Sequence, residues 1–118
     1  MKYKFEDLQV WQLSLKALDK IYGLVEDLHE SEKFNLKSQI IRACTSVSLN
    51  IAEGSAGQSN PEQIRFLGYS IRSLVEVIAC LRIIKVRKYI LDSDRLDDVY
   101  TVIDELFIKL QAFKESLQ

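Results

Sequence analysis

The sequence predicts an all-α fold, an antiparallel, up-down-up-down four-helix bundle with a left-handed twist. Three observations predict it. Four segments repeat apolar residues at alternating three- and four-residue steps. The breaks between them carry residues that stop and start helices. One proline and four glycines leave little material for the many turns of an all-β fold. With 118 residues and no linker-like stretch, the chain reads as a single domain over 1–118.

In the first segment the stripe is Leu8, Trp11, Leu15, Leu18, Tyr22 and Val25, with His29 in the next slot. Lys16, Asp19, Lys20 and Asp27 fall on or near the opposite face. The second segment shows Ile40, Cys44, Val47 and Ile51, and the third Ile64, Leu67, Ile71, Leu74, Ile78 and Leu81. The fourth is the most regular: Leu96, Val99, Ile103, Leu106, Leu110, Phe113 and Leu117. Gly54 stands where a left-handed C-cap is expected. Asn60-Pro61-Glu62-Gln63 reads as a cap, a proline in the first turn and a capping-box glutamine. Asp92-Ser93-Asp94 marks the last start, while the link from Glu30 to Asn35 is the weakest boundary and has room for a short helical turn. Helices are expected at about 7–29, 35–54, 61–89 and 94–117. Links this short make sequential helices pack antiparallel.

Composition narrows the function classes. A net charge of -1 gives no overall attraction to nucleic acid or acidic membranes, so either partner would need a local patch. No apolar run approaches the roughly 20 residues of a membrane span, and MKYKFEDLQVW lacks a signal-peptide core. Cys44 and Cys80 sit inside apolar helical patterns and read as buried, reduced thiols of a cytoplasmic protein.

The second helix differs from the others. From Ser38 to Asn60 only Arg42 and Glu53 are charged. Gln39, Arg42, Ser46, Asn50 and Glu53 form a polar stripe opposite the apolar one. Depletion of charge over more than five turns matches the centre of a protein interface. The stripe is therefore expected to lie against another surface, as a subunit interface or structural seam, with its polar groups paired there.

These same residues carry a family resemblance. Phe5-Glu6-Asp7-Leu8-Gln9-Val10-Trp11, Gln39-Ile40-Ile41-Arg42-Ala43 and Ser46-Val47-Ser48-Leu49-Asn50-Ile51-Ala52-Glu53-Gly54 resemble the four-helix-bundle proteins associated with intervening sequences of bacterial 23S rRNA genes. Phe66-Leu67 and Ser73-Leu74-Val75-Glu76 resemble that family's third helix. The resemblance implies a homopentameric barrel and kinship with the accessory protein of diversity-generating retroelements, which works beside a reverse transcriptase. Two positions depart from the family: Arg72 stands where it has glycine, and Arg87-Lys88-Tyr89 where it has Leu-Gly-Tyr.

Little in the chain suggests catalysis. One histidine, His29, and two widely separated cysteines exclude the usual zinc spacings, and no cofactor or metal is expected. Gly54-Ser55-Ala56-Gly57 lacks the ending of a phosphate loop. Asp92, Asp94 and Asp98 sit at calcium-loop positions, but Asp97 replaces the required glycine and Ile103 the glutamate, so the cluster reads as capping. Arg42 and Glu53 lie about 16 Å apart along one helix and read as structural groups, each meeting another helix or subunit, with Arg72 and Glu76 as candidate partners. Arg82, Lys85, Arg87 and Lys88 close the third helix with no acid from Val77 through Leu91, a candidate contact for RNA or DNA phosphate. The reading is a non-enzymatic, homo-oligomeric scaffold or adaptor that binds nucleic acid or a nucleic-acid-processing protein. The alternative is a small-molecule or enzymatic site at a subunit interface around Arg42, Asn50 and Glu53.

Overall fold

In the computed structural model, which describes residues 1–57 and 59–118, four helices follow one another: α1 (Gln9–Val25), α2 (Leu36–Ser55), α3 (Asn60–Val86) and α4 (Ser93–Ser116). Single 3₁₀ turns precede α1 at Lys4–Asp7 and α2 at Glu30–Glu32, and no strand occurs among the described residues. Each helix packs on its two neighbours in a cycle, α1 on α2 and α4, α3 on α2 and α4, with no diagonal contact. The chain is thus an all-α four-helix bundle, and this cycle is compatible with the expected up-down-up-down order. A 27-residue α3 is about 40 Å long at 1.5 Å per residue, nearly the whole 44 Å extent of the molecule.

The apolar stripes of α2 and α4 are the ones the periodicity predicts. Ile40, Cys44, Val47 and Ile51 are buried, as are Leu96, Val99, Ile103, Leu106 and Leu110. On α3, Leu67, Leu74 and Leu81 are buried, while Ile64, Ile71 and Ile78 are only half-buried. On α1 the expected stripe is displaced by one residue. The core face is Val10, Ser14, Ala17, Ile21 and Leu24, continued past the helix by Leu28; of the expected stripe Val25 is buried with them, Leu8, Trp11 and Leu18 pack half-buried at its edge, and Leu15 and Tyr22 are exposed. One residue is about 100° of helix rotation, so hydropathy selected a neighbouring face. The cause is Ser14 and Ala17, small residues that carry little hydropathy but let α1 approach α2. There Ser48 Oγ donates to Ser14 Oγ at 2.8 Å, and Ser14 Oγ donates to the Trp11 carbonyl at 2.7 Å.

The boundaries of α1 and α3 differ from expectation, α3 ending at Val86 rather than near 89. α1 ends at Val25 rather than near 29. Arg95 of α4 reaches its last turns, where Nη2 donates to the Gly23 carbonyl at 2.8 Å and Nη1 pairs with Asp27. Lys20 and Asp27 are therefore flank residues facing α4, with Lys20 Nζ 2.6 Å from Asp98. His29, expected in the heptad, is exposed and caps the following turn by accepting from the Ser31 amide. At the start of α3 the cap is Ser59, whose hydroxyl accepts from the Glu62 amide, and Asn60 is already helical. Pro61 tolerates the shift because the first four amides of a helix lack intrahelical partners.

Gly54 is not a left-handed cap. It lies inside α2, buried, with no positive φ. A Cβ there would stand 2.8 Å from Phe66 Cβ. Glycine is required because α3 passes so close at that level that a methyl on α2 would overlap the Cβ of Phe66.

The one non-glycine residue with positive φ among those described is Lys88, at 59°. It follows the C-cap Arg87, and two bonds close a Schellman turn: Tyr89 N–H to the Ile84 carbonyl and Lys88 N–H to the Lys85 carbonyl, both 3.1 Å. A side chain in this conformation costs about 1 kcal/mol or more. Lys88→Gly is expected to stabilise the fold by about 1 kcal/mol, seen as a higher urea midpoint at unchanged slope.

Candidate functional site

The outer face of α2 carries the polar stripe, and the structure divides it into two parts. Ser46 and Asn50 are half-buried and bonded within the chain. Ser46 Oγ lies 2.9 Å from Ser73 Oγ of α3, and Asn50 Nδ2 donates to the Ser46 carbonyl and hydroxyl at 2.9 and 3.1 Å. One turn away, Ser70 Oγ donates to the Val47 carbonyl at 2.9 Å. These small hydroxylated residues continue the close α2–α3 approach made at Gly54.

Gln39, Arg42 and Glu53 are exposed. Among the described residues Arg42 donates only to Ser38 of its own helix, at 3.3 Å. Neither Arg42 nor Glu53 enters an ion pair with Arg72, Glu76 or any other described residue. The stripe is thus a polar α2–α3 seam flanked by an open edge.

That edge has an apolar continuation. Leu49, on the outer face of α2, is 59% exposed, and Phe34, just before α2, is 90% exposed. Lys20 of α1 and Asp27 just beyond its end face α4, which places Leu15 and Tyr22 on the other flank, beside α2. These two side chains, 39% and 46% exposed, belong to the second apolar stripe of α1. Sequence periodicity found this stripe but assigned it to the core. Its signal as a surface is that α1 carries two apolar stripes where a bundle core needs one.

The basic run at the end of α3 does not form one surface. Arg82 lies over the Tyr100 ring of α4, 4.6 Å from its centroid. Arg87 turns the other way. Its Nε donates to the Tyr89 hydroxyl, which donates to Glu32, both at 3.4 Å. Hydrogen bonding to Tyr89 raises the Arg87 pKa further above its usual range. Lys85 and Lys88 are exposed. Arg87 also borders an open groove of about 620 Å³ with Glu32, Gln39, Glu76 and Cys80, a mixed-charge surface.

Both cysteines are free and buried. Burial pushes the Cys44 thiol up to about 12. Burial, assisted by Glu76, raises Cys80. Both therefore stay protonated near neutral pH, which suits packing groups rather than nucleophiles. Among the described residues no group of three or more His, Cys, Asp or Glu could hold a metal ion, and no helix is long and apolar enough to cross a membrane.

Comparison with known proteins fits this framework. A solved protein of unknown function from the S23 ribosomal protein family of Bacteroides thetaiotaomicron is 24% identical to the chain. It superposes with a TM-score of 0.81 over 89% of this chain and 97% of its own, and so shares the fold. No curated protein matches the chain. The family model for 23S rRNA-intervening sequence proteins matches residues 6–112, a span that includes the α2–α3 seam and its Asn50-Ile51-Ala52-Glu53-Gly54 block, and the chain belongs to that family.

Proposed function

We propose that the protein is a non-enzymatic, homo-oligomeric scaffold or adaptor of the cytoplasm. It is a ring of five subunits closing through the outer face of α2, and it serves a nucleic acid or a nucleic-acid-processing protein. The observation that carries this reading is the exposed side of α2. It is poor in charge from Ser38 to Asn60, yet Leu49 projects from it and Leu15 and Tyr22 extend it onto α1. Contiguous apolar surface with few charges is what the centre of a stable interface requires. Arg42 and Glu53, which enter no ion pair among the described residues, find partners across that interface. The family's name ties it to ribosomal RNA genes, which favours an RNA-related setting. Arg82, Lys85, Arg87 and Lys88 supply cations at one end of α3 for such a partner.

Light scattering coupled to size-exclusion chromatography tests the reading. The expected mass is about five times the 13.6 kDa of the chain. Arg42→Ala and Glu53→Ala each remove one member of a desolvated pair, at about 3–5 kcal/mol, and are expected to dissociate the ring. A 13.6 kDa species at micromolar concentration in physiological salt overturns the proposal. Fully assembled variants with an unchanged melting temperature remove α2 from the interface.

A further inference from the structure

The groove between the first half of α3 and the end of α4 gathers three cations with no acid. It is open, about 330 Å³, and is lined by Arg65, Arg72, Lys114, Gly68, Tyr69 and Gln111, among others. Arg65 and Arg72 are seven residues apart, about 10 Å along one side of α3. Lys114 crosses from α4 between them, with Nζ 3.8 Å from where a Gly68 Cβ would stand. The three form a row, and none of them enters an ion pair among the described residues.

The neighbouring carboxylates are directed elsewhere. Glu62 lies against Gly57 at the α2–α3 turn and Glu76 borders the groove shared with α2, while Glu115, beside Lys114, is exposed and makes no ion pair with it. From Gln63 through Val75 the sequence holds two arginines and no acid. The groove also presents an aromatic ring. Tyr69 is 41% exposed and is held edge-on to Phe66 at 5.6 Å between centroids.

A row of cations alone would suit any polyanion. An immobilised, half-exposed ring beside it suits one whose bases are free to stack. We propose that this groove binds the backbone of single-stranded nucleic acid, with Arg65, Lys114 and Arg72 on successive phosphates and Tyr69 stacked on a base. The proposal rests on the nucleic-acid reading above and moves its main contact away from the Arg82–Lys88 run. That run is divided between two faces, and one of its cations is already engaged with Tyr89 and Glu32.

The test is fluorescence anisotropy with a labelled oligouridylate and with a duplex of equal length, on intact protein whose assembly and helicity match wild type. Wild type is expected to prefer the single strand. The triple variant Arg65→Gln, Arg72→Gln, Lys114→Gln is expected to lose affinity by on the order of a hundredfold at low salt. Its salt slope should fall by about 2, since each lost single-strand phosphate contact removes about 0.7. Tyr69→Ala is expected to weaken the single strand about tenfold and leave the duplex unchanged. The variant with Arg82, Lys85, Arg87 and Lys88 changed to glutamine is expected to stay within about threefold of wild type, through loss of long-range attraction only. If the groove variant binds like wild type while the four-residue variant does not, the groove assignment fails and the nucleic-acid reading stands. No binding by wild type at low salt overturns both. Equal retention of polyglutamate overturns the single-strand assignment and leaves a general acidic-partner surface.

Discussion

Gly54→Ala is expected to lower stability by about 2 kcal/mol, a fall in melting temperature of roughly 8 °C for a chain of this length. Alanine is normally the better residue inside a helix, by about 1 kcal/mol. Here the added methyl would sit 2.8 Å from Phe66 Cβ and 3.5 Å from the Gln63 carbonyl oxygen. Neither atom is the end of a flexible side chain, so relief requires α3 to move as a body. Overpacking of this kind costs about 1–3 kcal/mol or more, and a clash with a Cβ that is fixed to its backbone favours the upper end. Urea denaturation at fixed protein concentration measures the loss. A stability equal to or above wild type would mean that α2 and α3 can separate freely at this level.

Ile51→Ala is expected to cost more, about 3–4 kcal/mol. Ile51 is 1% exposed, between Val47 and Gly54 on the core side of α2. Truncation removes apolar atoms and leaves a cavity that the surrounding helices fill only partly, a change that costs about 2–5 kcal/mol in well-packed cores. The same denaturation series reads it, and a loss under 1 kcal/mol would show that the bundle collapses into the space. Together the two substitutions assign the isoleucine and glycine of the Asn50-Ile51-Ala52-Glu53-Gly54 block to packing. Its Glu53 has no such role within one chain.

What the sequence made legible depended on whether a signal was local. The α4 stripe was readable because its core residues are large and evenly spaced, and nothing apolar competes with them on that helix except scattered residues such as Ile108. The α1 core was found only in part, at Val25 and the half-buried Leu8, Trp11 and Leu18, because Ser14 and Ala17 act through their small volume, which hydropathy does not register. The role of Gly54 was hidden for a similar reason. Glycine near the end of a helix commonly caps it, and only the position of Phe66 on the next helix reveals the close approach. Among candidate site residues, Ser46 and Asn50 were readable as paired polar groups, but the Ser73 partner of Ser46 on α3, and the bond of Asn50 back to Ser46 on its own helix, were not. The Arg82–Lys88 run attracted notice because it is contiguous, though the fold turns its members apart. The groove of Arg65, Arg72 and Lys114 was overlooked because it joins residues more than forty positions apart. The acid-free stretch around Arg65 and Arg72 was the one local trace of it.

The glycine contact between α2 and α3 also sets an angle. The outer edge of α2 and the cationic groove of α3 are carried by the two helices that meet at Gly54, so their separation fixes how one surface is turned relative to the other. A head-to-tail ring of identical subunits closes only when the rotation from each copy to the next divides a full circle, and a small error repeated around the ring gives an open spiral instead. In the proposed ring, Gly54 would therefore act as a spacer whose width helps set curvature, and a methyl there would alter the rotation from one copy to the next.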